Sequence, residues 1–212
     1  MKLIEYLKEV YGYDNPIILK DLRIGGKSKS AIRQELYRET KLGNIQSYGN
    51  GVYYFYKSKL DFMKPTLSLD KVLLKKYMKK GMDIDGLDIN RIGYVSGFMF
   101  LNQIGISPQV PNFYEITTNN ISCNKRTIYI RGIKVVLRKP KTEINYQNFK
   151  GLQFFDLFKL IGWEDLKNES KLNILKQYIS KNLRKNDLKL LQLYSTETIK
   201  KITESGLIYD FR

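Results

Sequence analysis

The sequence predicts a mixed α+β fold in which a small N-terminal winged helix-turn-helix domain precedes a larger α+β domain. Two observations predict this fold class. In the first sixty residues, segments with helical periodicity are followed by two short strand-like runs joined by a glycine-rich turn. In the remainder, strand-like runs precede a series of helix-like runs. We therefore expect a winged helix-turn-helix over residues 1–60 and an α+β domain over residues 66–212.

The N-terminal domain is predicted to contain three short segments before its strands. Apolar residues at helical spacing indicate a first helix over residues 1–11, and a short helical or extended piece follows at 17–22. A pair of glycines then interrupts the chain, and Ser28 stands where a helix-capping residue is expected. The third segment is a helix predicted over residues 29–41.

This third segment separates apolar from polar side chains. At about 100° per residue, Ile32 and Leu36 lie on one side, and Glu35 and Glu39 point towards that same side. The opposite side carries hydrogen-bonding groups and a ring: Ser30, Arg33, Gln34, Tyr37, Arg38 and Lys41. A polar helix face is often simply solvated, so its interpretation depends on the segment that comes after the helix.

A tight hairpin is predicted directly after this helix. Residues 44–48 and 52–56 are rich in aromatic and β-branched residues, and Gly49-Asn50-Gly51 between them allows the positive φ angles of a tight turn. Helices followed by such a hairpin are the order of a winged helix-turn-helix, whose third helix enters the major groove of duplex DNA. The hairpin tip carries no Arg or Lys, so positive charge from elsewhere must compensate.

Two kinds of DNA contact are predicted. Lys27, Lys29 and Lys41, with the first backbone amides of the helix, are expected to bind phosphates, which fixes register without reading sequence. The candidates for base edges are Arg33, Gln34 and Arg38, because Arg pairs with guanine and Gln with adenine in bidentate fashion. The predicted DNA-binding set also includes polar and aromatic residues of the helix and hairpin: Ser28, Ser30, Tyr37, Tyr48, Asn50 and Tyr53.

The net charge favours a polyanionic partner. The chain has 37 Lys and Arg against 21 Asp and Glu, a formal charge of +16, and the field of such a protein attracts polyanions. The excess is +5 in residues 1–60, +1 in 61–120 and +10 in 121–212. An AT-rich genome, which raises the Lys content, explains part of this imbalance but not all of it.

The second domain is predicted to begin with helices at 69–80 and 94–104, the latter apolar nearly all round and therefore buried. Later segments with strand periodicity lie at 113–118, 127–130 and 133–137, and the last two meet at Arg131-Gly132. Helix-like segments follow at 152–161, 170–183, 188–194 and 196–205.

The composition argues against many enzyme classes. Histidine is absent, which excludes the commonest general base and metal ligand, and Cys123 is the only cysteine. We expect no metal and no cofactor. The strongest enzyme alternative is a metal-dependent nuclease that would use Asp156 followed by Glu169-Ser170-Lys171. No membrane-spanning run and no signal peptide is recognisable, so we expect a cytoplasmic protein without a membrane partner.

Several segments resemble the AbiEi-type antitoxins of bacterial abortive-infection toxin-antitoxin systems. They are GKSKSAIRQELYRETKLGNIQSYGNGVYYF at residues 26–55, YVSGFMFLNQIGI at 94–106, FYEITTN at 113–119, IRGIKVVLRKP at 130–140 and GLQFFDLFKLI at 151–161. The resemblance implies an N-terminal winged helix that represses its own operon by binding inverted repeats in the promoter. It also implies a C-terminal domain that counters a nucleotidyltransferase-like toxin, and no catalysis.

Transferred to this chain, the resemblance places the basic recognition helix at Lys27, Lys29, Arg33, Arg38 and Lys41, and the wing at residues 48–53. Whether the toxin is contacted directly stays open. The alternative within the same class is a winged-helix transcription regulator whose second domain senses a ligand or dimerises.

A second basic cluster is predicted around the strands of the C-terminal domain: Lys125, Arg126, Arg131, Lys134, Arg138, Lys139 and Lys141. One hypothesis is a surface that extends the DNA contact or competes for the toxin's nucleic-acid substrate. The other is a solvated sheet edge that lysines keep soluble.

Overall fold

The computed structural model describes residues 2–57, 67–80 and 90–212. The chain divides into two compact units, residues 1–76 and 77–212, and each contains its own sheet. The predicted mixed α+β class is therefore confirmed. The join between the domains is predicted at residues 57–68, of which 58–66 lie outside the described residues. Residues 67–76 belong to the first unit, although the predicted second domain begins at residue 66.

The described residues of the N-terminal unit form three α-helices and a small sheet: α1 (Leu3–Tyr11), β1 (Ile17–Ile18), α2 (Lys29–Lys41), β2 (Gln46–Gly49), β3 (Val52–Tyr54) and α3 (Leu69–Leu73). The piece predicted at 17–22 is strand β1 followed by one 3-10 turn, Leu19–Asp21. The helix predicted at 69–80 is shorter, because α3 changes into a π-helical turn at Leu74–Met78.

The three strands form an antiparallel sheet in the order β1-β3-β2, in which Ile17 pairs with Tyr53 and Gln46 pairs with Tyr54. At the hairpin tip, Asn50 has a φ of 53° between two glycines that also have positive φ, which is why this turn contains glycine. One core joins the sheet to α1 and α2, and its buried members are Leu3, Leu7, Ile17, Leu19, Leu22, Ile32, Leu36, Ile45 and Phe55.

In its described residues, the C-terminal unit contains a four-stranded sheet in the order β4-β5-β7-β6. Its elements are β4 (Gly93–Val95), α4 (Gly97–Gln103), β5 (Tyr114–Thr118), β6 (Lys125–Ile130) and β7 (Ile133–Arg138). Strands β5 and β7 are parallel, and the other pairs are antiparallel. The β6–β7 hairpin turns at Arg131-Gly132, as predicted, and both residues have positive φ.

The prediction of a helix over residues 94–104 is wrong for its first residues. Tyr94 and Val95 belong to β4 and pair with β5, and Ser96 is extended before the positive φ of Gly97. The helix that follows is also not buried all round, because 48% of Phe98 is exposed.

Helices complete the C-terminal unit: α5 (Phe149–Asp156), α6 (Trp163–Lys167), α7 (Glu169–Asn182) and α8 (Thr196–Glu204). Four 3-10 turns occur in the described residues, and three follow these helices: Leu157–Lys159, Lys185–Leu193 and Leu207–Asp210. The second of them lies where the sequence predicts a helix over residues 188–194. None of the helices in residues 2–57, 67–80 and 90–212 combines the length and apolar character needed to cross a bilayer.

Candidate nucleic-acid interface

The start of helix α2 is fixed by its cap. Ser28 has an extended backbone, and its hydroxyl oxygen accepts a hydrogen bond from the backbone N–H of Ala31 at 3.1 Å. This bond satisfies one of the amides that a helix leaves unpaired at its N-terminus. The helix extends to Lys41, so the predicted cap and the predicted bounds are both confirmed.

Helix α2 packs with one face only. Ile32 and Leu36 are fully buried in the core of the N-terminal unit. The polar residues of the opposite face are all exposed: Ser30, Arg33, Gln34, Tyr37, Arg38 and Lys41. The predicted separation of faces is therefore confirmed, and the structure brings these six side chains to one surface, which we call the α2 face.

The side chains at the centre of the α2 face have no polar partner within the described residues. In the part of the chain that the structure describes, Arg33, Gln34 and Arg38 form no side-chain hydrogen bond or ion pair with other protein groups. At the end of the helix, the Lys41 ammonium lies 5.5 Å from the ring centroid of Tyr37, a distance suited to a cation–π contact. The face thus presents donors whose hydrogen-bonding capacity is available to a ligand.

The acidic residues of α2 are held away from this face. Glu35 forms an ion pair with Lys27 at 2.6 Å, and Glu39 accepts a hydrogen bond from the amide of Asn44 at 2.7 Å. Lys27, predicted to bind phosphate, is therefore partly neutralised. Lys29 donates to the backbone carbonyl of Lys20 at 3.3 Å. The third predicted phosphate ligand, Lys41, differs from Lys27 and Lys29. Its ammonium contacts the ring of Tyr37 rather than a protein oxygen.

The structure of the β2–β3 hairpin contradicts one predicted DNA contact. Tyr48 is only 6% exposed, and its ring packs edge-on against Tyr54 with the centroids 6.5 Å apart. Its assignment as a DNA-binding side chain is therefore wrong, because Tyr48 is buried beside Tyr54. Asn50 is exposed at the tip, and Tyr53 is half-buried.

Lys76 is a residue of this surface that the sequence analysis missed. Its ammonium donates a hydrogen bond to the backbone carbonyl of Asn50 at 2.6 Å. Burial lowers the pKa of Lys76, and the nearby carboxylate of Asp21 opposes that shift. Because 26 residues separate Lys76 from Asn50, no local pattern signals the contact. The hairpin tip, which has no cation of its own, thus has one beside it.

The residues of the predicted C-terminal basic cluster are all exposed, but they do not share one face. Cross-strand pairing places Lys125 opposite Arg138, and Lys134 opposite Tyr129. Arg126 follows Lys125 in β6 and so points to the other side of the sheet. Several of the cations already have partners, since Arg138 is paired with Glu115 and the Lys141 ammonium lies 4.9 Å from the ring centroid of Tyr194.

The residues of the nuclease alternative have other partners or are isolated. The two carboxylate oxygens of Asp156 accept hydrogen bonds from the hydroxyl of Tyr94 and the ammonium of Lys159, both at 2.7 Å. Burial raises the pKa of Tyr94, which keeps this phenol a donor. Glu169 is exposed at the first position of α7. Within the described ranges, no three Asp, Glu, Cys or His side chains are grouped to hold a metal ion.

Comparison with protein-family models and with curated protein sequences finds no match to this chain. The function is therefore inferred from the residues and their arrangement.

Proposed function

We propose that the N-terminal unit is a winged helix-turn-helix that binds duplex DNA, and that the protein is a transcriptional autorepressor and antitoxin. The observation that carries the DNA-binding part is the α2 face. Its central donors have no protein partner within the described residues, while the other side of the same helix is anchored in the core. A helix held in this way, with its polar face outward, has the dimensions to enter a major groove.

The order of elements supports the same proposal. A three-stranded sheet places the β2–β3 hairpin directly after α2, which is where a wing follows a recognition helix. In this arrangement Arg33, Gln34 and Arg38 face base edges, and Lys41 faces the phosphate backbone. Lys76 takes the role of the missing wing cation.

Binding to the duplex upstream of the protein's own gene tests the proposal. We expect the logarithm of the association constant to fall linearly with the logarithm of the salt concentration. For about five neutralised phosphates the slope is near −4.5. A random duplex of equal length is the control for specificity. Absence of duplex binding at low salt, or binding that is insensitive to salt, would contradict the proposal.

The antitoxin part is supported by the resemblance of the segments at 26–55, 94–106 and 130–140 to AbiEi-type antitoxins. Its test is co-expression with the adjacent gene, for which we expect a nucleotidyltransferase-like product that arrests growth alone and not with this protein. Persistent arrest would instead favour the regulator whose second unit senses a ligand or dimerises. The Arg33→Ala variant separates the two activities, because it should lose operator preference and keep rescue.

Lys76 is expected to bind a DNA phosphate beside the wing. Lys76→Met should weaken binding to cognate and random duplexes by the same factor, because a phosphate contact is blind to sequence. It should also make the salt slope less negative by about 1, whereas Lys76→Arg should retain the wild-type slope. Lys80→Met removes the same charge from an exposed position and is the matched control. A wild-type slope for Lys76→Met would show that Lys76 has only a structural role.

A further inference from the structure

The β6–β7 hairpin of the C-terminal unit presents a second surface of distinct chemistry. In an antiparallel pair, directly opposed residues point to the same side of the sheet. The pairs Lys125–Arg138 and Tyr129–Lys134 therefore lie on one side, with the pair Thr127–Val136 between them. Val136 is buried, and the other five residues are exposed. We call these five the hairpin face.

Tyr129 is the unusual member of the hairpin face, because 64% of this large aromatic residue is exposed. It lies four residues from Lys125 along β6, which is about 13 Å in an extended strand. Its cross-strand neighbour Lys134 has its ammonium 5.3 Å from the ring centroid of Phe113, which keeps this cation at the face. An accessible ring thus lies beside Lys134 near the turn of the hairpin, with Lys125 at the far end of the same side of β6.

We propose that the hairpin face binds single-stranded nucleic acid, with one base stacked on Tyr129 and the adjoining phosphates bound by Lys125 and Lys134. Rings that stack bases, combined with cations that follow the backbone, are the general means of binding unpaired strands. Arg138 contributes less charge, because Glu115 is its partner.

A single strand fits this surface better than a duplex or an acidic peptide. The bases of a duplex are already stacked on one another, so a ring on a sheet reaches only bases that are unpaired. An acidic peptide would use the cations and leave the ring without a matching group. The inference concerns residues of the C-terminal unit and does not depend on the function proposed for the α2 face.

The test measures fluorescence anisotropy of labelled oligo-dT and oligo-U of about twelve nucleotides, and of a duplex of equal length. The full chain carries Arg33→Ala and Arg38→Ala in every sample, so that the α2 face contributes little. We expect Tyr129→Ala to weaken binding of the single strands by about tenfold or more, and Tyr129→Phe to retain it. Lys134→Gln should weaken it several-fold with a smaller salt slope.

Tyr209→Ala is the matched control, because Tyr209 is an exposed tyrosine of the same unit, at 87%. It should bind like the parent protein. Single-strand affinity unchanged in Tyr129→Ala would overturn the proposal. Equal losses of single-strand and duplex affinity would also overturn it and make the hairpin face a general basic surface. Retained binding by Tyr129→Phe together with loss in Tyr129→Ala supports it, since the two variants together show that the ring and not the hydroxyl is required.

Discussion

Phe154→Ala is expected to lower the free energy of unfolding of the C-terminal unit by roughly 3–5 kcal/mol. The Phe154 ring is fully buried, and it stacks on Tyr178 with the centroids 5.5 Å apart. Three further rings lie 5.3–6.3 Å from it: Phe155, Phe158 and Phe211. Truncation leaves a cavity that these rings cannot fill, because they are fixed by several neighbours at once.

Urea denaturation followed by tryptophan fluorescence measures this effect. Trp163 is the single tryptophan of the chain and lies in the same unit, so its emission reports that unit. Phe98→Ala is the matched control, because about half of Phe98 is exposed in α4 and its truncation should cost less than about 1 kcal/mol. A loss below about 1 kcal/mol for Phe154→Ala would mean that the aromatic cluster is loosely packed.

Arg33→Ala is expected to abolish the preference of the protein for its cognate operator. A bidentate contact between Arg and guanine contributes about 1–3 kcal/mol of discrimination, so the ratio of cognate to random affinity should fall by about 5- to 150-fold. Because the Arg33 side chain has no hydrogen-bond or ion-pair partner in the described residues, the variant should keep its wild-type stability. Thermal unfolding checks this second point.

Lys41→Ala is the control that distinguishes a loss of sequence preference from a general loss of DNA affinity. Lys41 lies on the same face and is expected to meet phosphate, so its loss should weaken cognate and random duplexes by the same factor. Gel-shift titrations of both variants on both duplexes give the two ratios. Equal losses on the two duplexes for Arg33→Ala would contradict its assignment to a base edge.

Local signals were sufficient to predict helix α2 and both hairpins. Ser28 caps α2 through a bond to Ala31, three residues away, and Ile32 and Leu36 anchor its apolar side. The tight turns depend on glycines that take positive φ where other residues rarely do. Each of these features is decided within a few residues, which is why the pattern of the chain indicates them.

The errors arose where distant residues decide the structure. The apolar run at 94–104 suits a buried strand or a buried helix equally, and only pairing with β5 assigns Tyr94 and Val95 to a strand. Tyr48 was assigned to the DNA surface from its position in the hairpin, although the packing of its ring on Tyr54 buries it. The Lys76 contact joins residues that no periodicity connects.

Strand β6 lies at the edge of its sheet, and this position affects how copies of the protein interact in solution. In the part of the chain that the structure describes, β6 pairs with β7 alone, so its other side offers backbone groups to any extended neighbour. Lys125 and Arg126 point to opposite sides of this strand and give it positive charge on both. Two copies approaching through β6 therefore repel each other in dilute buffer, and concentrated salt, which shortens the range of that repulsion, removes the protection against self-association.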